Sequence, residues 1–296
     1  MTNWFQSHTA FQLFQQSRDE ITPILVEQGS CRCLVAVMGH GLLRRGIVQG
    51  GVAIDEHYDY ATIERDLTAV LRHVRQACKQ ASCIYVEMRN FADYSAYRTI
   101  FEQEGFSYQP HYDVIIPILT SAEQWNSIHE SKQRWLRKEL SEQQPLTDTN
   151  LPTAYPNLWH EAQSEEEIRT FYTHLKHLYQ TKVHRPIPSL DFFLTAYRMG
   201  ACTFLITHDG GVMLAADDTT AYEWYICGQV MSTWAAIEWC QQHHIKYFDT
   251  MGAGKPNVPY GVRDFKLQMG GTLYDFGRFL SPIRPLIYTI GHKILG

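Results

Sequence analysis

The chain has 296 residues, 45% of them hydrophobic and 19% charged, enough apolar material for one large or two modest cores, so a folded globular protein is expected. Lys and Arg number 26 against 31 Asp and Glu, a net charge of -5; this argues against a protein that coats nucleic acid generally and leaves only a local basic patch open to RNA. The N-terminus lacks the basic, apolar, small-residue succession of a signal peptide, and no apolar run approaches the ~18 residues of a membrane span, so the expected compartment is the cytoplasm. Seven cysteines without a repeating spacing fit reduced thiols better than a disulfide framework.

Residues 1–20 are polar and aromatic with a helical tendency, and 34–37 form the first clear strand. Cys31 and Cys33 point the same way on an extended chain; an ordinary strand pair accounts for them without a metal. After a turn at Gly39-His-Gly41, a strand over 42–54 carries glycines at 46, 50 and 51 that permit bulges or close approach of a ligand. Arg44 and Arg45 at its start read as a solvated pair or as an anion contact, the solvated pair being the simpler. Apolar residues at Ile63, Leu67, Val70, Leu71, Val74 and Ala77 give a helix over 61–80 with one buried stripe. A strand over 83–88, the loop from Arg89 and Asn90, a helix over 96–103, a glycine stop at Gly105 and a strand over 113–118 follow; Pro117 suits an edge or a strand end.

Residues 121–141 read as one helix holding the most basic window in the chain, with Lys132, Arg134, Arg137 and Lys138, and 143–156, with three prolines, reads as a linker. Ser164 and Glu167 stand in capping-box spacing before a helix to about 182 whose stripe is Ile168, Phe171, Leu175 and Leu178. His174 and His177 share one side of it, but no third ligand is evident, and no metal is expected. A helix over 190–198 precedes strands over 202–207, 212–216 and 221–228, the first two joined by the hairpin signal Asp209-Gly210, so an antiparallel meander is expected. Then come a helix over 232–244, a strand over 246–249, a glycine turn over 251–254, a helix over 260–268 and a strand over 272–279, with 285–295 as an apolar helix docked on the fold.

The order helix, strand, loop, helix, strand occurs twice. Laying 100–106 on 265–271 matches Gln103 with Gln268 and Gly105 with Gly270, each glycine ending its helix, and sets Glu87 roughly against Asp249. Two helices, a meander, a helix, a strand, a helix and a strand describe an N-acetyltransferase-like domain. The fold class expected is therefore α/β, of α+β type with mixed sheets, as two tandem GNAT-like (acyl-CoA N-acyltransferase) domains: 1–145, completed by 281–296, and 146–280 carrying the principal site.

Tyr222-Glu-Trp-Tyr-Ile-Cys-Gly228, Phe248-Asp-Thr-Met-Gly-Ala-Gly254 and Tyr260-Gly-Val-Arg-Asp-Phe-Lys266, with Glu87-Met-Arg-Asn90, Glu104-Gly-Phe106 and the basic helix, resemble the FemAB-like family of bacterial aminoacyltransferases. The resemblance spans most of the chain, which is shorter than characterised relatives and shows no long inserted helical hairpin. It implies transfer of an amino acid from aminoacyl-tRNA to an amino group of a peptidoglycan or other cell-envelope precursor, nucleotide- or lipid-linked, with no cofactor, and it leaves room for peripheral contact with the inner membrane face. Two alternatives stay open: N-acylation of an amino sugar or amino acid from a thioester, and a ligand-binding relative without turnover.

Aminoacyl transfer needs a deprotonated amine, a stabilised oxyanion and a protonated leaving oxygen. By the resemblance Lys266 is the lysine of the family's Phe-Lys pair, assigned to the donor ester and its transition state with Phe265 beside it; as structure alone, it complements a helix C-terminus. Asp249 ends a buried strand and should meet a cation, Arg263 above all, or a substrate amine. Gly252 and Gly254 make a tight turn or admit a phosphate, which Lys255 and Arg263 would serve, and Tyr260 opens the helix beside them. Strand alternation puts Tyr222 and Trp224 on one face and Tyr225 on the other. Arg89, Asn90 and Arg45 complete the substrate-binding set, and Lys132, Arg134, Arg137 and Lys138 the tRNA contact. The junction from Gly228 to Trp234 lacks the glycines of a pyrophosphate-binding turn, which disfavours acetyl-CoA.

Overall fold

The computed structural model of the protein describes residues 3–17, 21–143 and 158–295. The chain divides into two compact units, Met1–His111 with Asp275–Gly296, and Tyr112–Tyr274. Most of the expected linker, and the expected division at 145/146, lie outside the described residues.

In the first unit α1 (His8–Gln16) is capped by Ser7, whose hydroxyl accepts the Ala10 N–H at 3.1 Å. β1 (Ile21–Gln28), β2 (Cys31–Met38), β3 (Arg45–Gly50) and the short β4 (Ala53–Ile54) follow. β1 is a strand that sequence reading missed; Pro23 cannot donate to a ladder, and β1 tolerates it because it is an edge strand. α2 (Tyr60–Gln80) buries Ile63, Leu67, Val70, Leu71 and Val74 as its periodicity requires, and Cys31 and Cys33 join the same core. β5 (Tyr85–Asn90), α3 (Arg98–Gln103) and β6 (Ser107–Gln109) end this stretch.

The second unit begins at β7 (Tyr112–Pro117) and continues through α4 (Ser121–Ser127), α5 (Glu130–Gln143), β8 (Trp159–Glu161), α6 (Glu165–Leu178) and α7 (Leu190–Arg198). β9 (Thr203–Thr207), β10 (Gly210–Ala216) and β11 (Thr220–Cys227) form the expected meander. α8 (Gln229–Gln242), β12 (Tyr247–Gly252), α9 (Gly261–Gln268) and β13 (Thr272–Asp275) complete it, and β14 (Arg278–Pro282) and α10 (Pro285–Leu295) belong again to the first unit. The helix expected over 121–141 is two, broken at Ile128 and His129, where the His129 N–H leaves the helical ladder to donate to Gln268 C=O at 2.8 Å.

The two seven-stranded sheets run β1-β2-β3-β5-β14-β6, with β4 on β2, and β13-β7-β12-β11-β10-β9-β8. Each contains a meander, then a parallel neighbour, then an antiparallel strand supplied by the other half of the sequence: β14 pairs β5 in the first sheet, and β7 pairs β12 in the second. By this exchange the two compact units divide at 111/112 and 274/275, where the sequence pattern suggested 145/146 and 280/281, and β7 is an interior strand of the second sheet with Pro117 as its last residue, at a strand end as expected. The strand expected over 272–279 is accordingly two, β13 and β14, one in each sheet, separated by Gly277 with φ 64°.

The repeated helix stop is real in the backbone. α3 and α9 both end on a glutamine, and Gly105 (φ 81°) and Gly270 (φ 90°) follow two residues later in the left-handed conformation that closes a helix. α10 docks only in part: Tyr288 packs edge-on against Tyr85 at 5.6 Å, but Leu286 is 82% exposed and Ile290 60%. Among the described residues no helix is long and apolar enough to cross a membrane.

Candidate active site

The two units treat their parallel strand pair differently. β3 and β5 stay paired from Gly46↔Val86 to Gly50↔Asn90 without a shift in register. β11 and β12 pair only over Thr220↔Tyr247, Ala221↔Phe248 and Tyr222↔Asp249, and then part. A bulge on each strand lies just past the last pair. On β11, Met213 opposes Tyr225 and Leu214 opposes Glu223, so Trp224 is the extra residue. On β12, Asp249 opposes Ile115 and Gly252 opposes Asp113, so Thr250 and Met251 together face Val114. Bulges bend a strand and raise its twist, and two of them at the same level separate the pair. The second unit thus has a gap in its sheet that the first does not.

Three carboxyls and one ammonium sit at the mouth of that gap. Asp113 (3% exposed) and Asp249 (1%) are hydrogen-bonded to each other, and burial raises both, Asp249 to about 7. The Met251 N–H, donating to Asp249 Oδ1 at 2.7 Å, and the charge of Lys266 oppose that rise on Asp249. The pair therefore shares a proton near neutrality and titrates as a unit. Glu223, half-buried beside them, is pushed up to about 7 by burial, with Lys266 pulling it down and Asp249 pushing it further up. Burial also raises Tyr179 to about 12, with the Glu223 charge next in effect, Arg185 opposing it and Tyr260 adding to it, which places all four groups in one neighbourhood.

Lys266 is buried, 6% exposed, and its Nζ donates to the carbonyls of Thr250, Met251 (3.1 Å) and Gly252 (3.2 Å). The bulge makes this possible: Met251 adopts φ 61°, turning consecutive carbonyls toward one point. All three ammonium hydrogens are thereby committed to the strand end, and the side chain acts on its surroundings as a fixed charge.

The other expected residues divide. Arg263 does not meet Asp249; its guanidinium donates to the carbonyls of Lys255 (3.1 Å) and Val258 (2.7 Å) and lies over the Tyr112 ring at 5.4 Å, so it staples the loop before α9. Tyr260 packs on Gly254, where φ is 83° and a Cβ would fall 3.0 Å from the ring. The Lys255 side chain is exposed, and Phe265 is half-buried with Lys132 5.0 Å from its ring centroid. Tyr222 is buried and donates to Asp217 at 3.1 Å. Alternation fails for its neighbours: because Trp224 is the bulged residue, it and Tyr225 lie stacked at 6.0 Å and 21°, against Phe192 and Phe193 of α7. On the basic helix Arg134, Arg137 and Lys138 are all exposed, Arg137 lying 5.3 Å from the Trp125 ring centroid.

Arg45, Arg89 and Asn90 belong to the first unit. Because β3 and β5 are parallel, Arg45 stands at the start of β3 and Arg89, opposite Gln49, at the far end of β5, about 13 Å along the strand direction. Arg89 donates to Glu87 at 3.3 Å and Arg278 donates to the same carboxylate at 2.6 Å. Sequence reasoning missed Glu223 and Asp113. The signal for Glu223 was a carboxylate inside an otherwise apolar strand; for Asp113 there was none, since its partner lies 136 residues away.

At the start of α8, Gly228 has φ 88°, and a Cβ there would fall 2.7 Å from Asp209 Oδ1. The Asp209 carboxylate, which accepts from the Thr207 hydroxyl at 2.9 Å, thus lies close to the start of α8. Among the described residues no group of three or more His, Cys, Asp or Glu could hold a metal ion.

No family model matches the sequence, and a search of curated proteins finds no match. Solved structures do match. A FemX crystal structure superposes with a TM-score of 0.64 at 12% identity, covering 97% of this chain and 94% of the other. L-PGS from Bacillus licheniformis gives 0.55 at 11% identity, covering 98% of each chain. The C-terminal domain of an Agrobacterium fabrum protein described as a lysylphosphatidylglycerol synthetase gives 0.52 at 10% identity, covering 97% of this chain and 95% of that domain. The fold expected from the FemAB-like resemblance, mixed α/β with two mixed sheets, is the fold observed, and over nearly its whole length this chain shares it with FemX.

Proposed function

We propose that the protein is an acyltransferase, and specifically an aminoacyltransferase that moves an amino acid from aminoacyl-tRNA to an amino group of a peptidoglycan or other cell-envelope precursor. The observation that carries this reading is the gap between β11 and β12, with a half-open carboxyl at Glu223 poised near neutrality beside a buried cation. A general base works best with its pKa near the working pH. The amine lone pair forms the new C–N bond at the donor carbonyl, the amine proton passes to Glu223, the C–O bond breaks, and the ribose oxygen leaves with that proton. Lys266 and Asp249 position this carboxyl: Lys266 through its charge, Asp249 through the proton it shares with Asp113. Tyr260, Phe265, Gly252, Gly254, Lys255 and Arg263 shape the substrate side of the gap, and Arg134 and Lys138 supply the exposed charge for tRNA.

The carboxylate of Asp209 at the α8 N-terminus favours a donor without a pyrophosphate there, hence tRNA over acyl-CoA. The test is product formation from purified protein with a stem-peptide precursor and either charged tRNA or acyl-CoA. Product with charged tRNA is expected. Product with acyl-CoA alone selects N-acylation from a thioester, and none from either donor leaves a ligand-binding relative without turnover.

A further inference from the structure

One corner of the first unit is both apolar and basic, and nothing in the proposed chemistry uses it. The Ile84 peptide ties it together: its N–H donates to Arg44 C=O at 2.7 Å, and its C=O accepts the N–H groups of Ile283 (2.8 Å) and Arg284 (2.9 Å). The 3-10 turn Gly41–Leu43, the end of α2 and the start of α10 therefore meet at one point. The Cys83 thiol between them is held below its ordinary range first by its hydrogen bond with Cys78 and then by the charges of Arg44 and Arg284, so both guanidinium groups lie near it.

The surface here is unusual for a soluble face. Leu43 is 71% exposed, Leu286 82% and Ile290 60%, the last two one helical turn apart on the same side of α10. Arg44, whose guanidinium donates to Ala81 C=O at 3.4 Å, and Lys79 in the last turn of α2 are both exposed, and residues 39–45, 79–84 and 283–290 contain no Asp or Glu although the whole chain carries -5. Apolar side chains on the first turns of α10, with cations near them and no acid in these three segments, match a surface that offers acyl chains behind a layer of negative charge. A protein partner's acidic patch would satisfy the arginines but not three isolated aliphatic side chains set among them.

We propose that this corner, Leu43, Leu286 and Ile290 with Arg44, Lys79 and Arg284, docks the protein on an anionic lipid bilayer. The aliphatic side chains insert at the headgroup boundary and the cations pair with lipid phosphates. The inference rests on the first unit alone and is independent of the chemistry assigned to the second.

The test is co-sedimentation of the full chain with vesicles of two parts phosphatidylcholine to one part phosphatidylglycerol, against phosphatidylcholine alone. The protein should bind the anionic vesicles, bind the neutral ones far less, and dissociate as salt is raised. L286E with I290E should weaken partitioning by about tenfold or more, and Arg44→Ala and Arg284→Ala by about fivefold each, with circular dichroism and the melting temperature showing that each variant is folded. Absence of binding to anionic vesicles overturns the proposal, as does a folded L286E/I290E protein that binds as well as the parent. A dimer in sedimentation equilibrium that this double variant abolishes, without vesicle binding, reassigns the corner to self-association and equally overturns it.

Discussion

Glu223 and Lys266 make opposite demands on the fold, and that tension gives the sharpest tests. Glu223 binds its proton more tightly folded than unfolded, so the folded state is favoured at low pH and loses stability as pH rises from about 4.5 to about 7. Glu223→Gln removes that loss: it should add about 1–2 kcal/mol above pH 7, discounted for partial exposure, and nothing at pH 4. Urea unfolding at the two pH values checks this. The same variant should lower kcat by about 10²–10⁴, and wild-type kcat/KM should fall below about pH 7 as the base is protonated. Unchanged turnover in Glu223→Gln would remove it from the chemistry. Lys266→Met leaves the carbonyls of Thr250, Met251 and Gly252 without their donor and should cost about 2–4 kcal/mol of stability. Because the lysine charge pulls Glu223 down, its loss should also move the acidic limb of the pH–rate profile upward. A lysine with a purely structural role would leave that limb in place.

At the scale of elements, the repeated helix stop gives a comparison with an internal control. Gly105 and Gly270 both need φ near 80–90°, so Ala at either is strained by about 1 kcal/mol. Their neighbours differ. A Cβ at Gly105 meets the far end of the flexible Arg75 side chain, whereas at Gly270 it falls 2.6 Å from Ser127 Oγ, a short side chain already donating to Gln124 C=O at 2.7 Å. Gly270→Ala should therefore cost about 2–3 kcal/mol and Gly105→Ala about 1 kcal/mol. Equal midpoints in denaturant would show that the Ser127 contact yields freely. These glycines were legible because a helix stop is local: periodicity ends, and a left-handed residue follows. The bulges were not. Trp224 and Met251 are ordinary side chains in β-rich sequence, and only the partner strands β10 and β7 reveal that one residue too many opposes them.

For the molecule as a whole, a net charge of -5 means that any tRNA binding depends on local cations. Lys132 and Arg137 lie over the rings of Phe265 and Trp125, so reversing them would disturb packing as well as charge. Arg134 and Lys138 are exposed on the same helix, and neither lies over one of these rings. Arg134→Glu with Lys138→Glu should weaken tRNA binding and reduce the slope of log K against log salt by about 1–2, one counterion per phosphate contact. A slope that does not change would take this helix out of the tRNA surface.

By itself the sequence determined what is local or repeated. The α2 and α6 stripes, the Ser164 capping box, the β9-β10 hairpin, the two glycine stops and the doubled element order all follow from periodicity and turn chemistry, and each has its counterpart in the fold. Tertiary structure decided what depends on partners far apart in the chain. Which half supplies the last strand of each sheet, and hence where the units divide, is a choice between two similar hairpins that a pattern of apolar residues does not distinguish. The same holds for the site: Asp113 and Asp249 share a proton, and Glu223 is pushed up to about 7, only because two bulges open one parallel pair and gather two buried carboxyls and a half-buried one around one committed lysine. Register and burial set those energies, and both are properties of the assembled sheet.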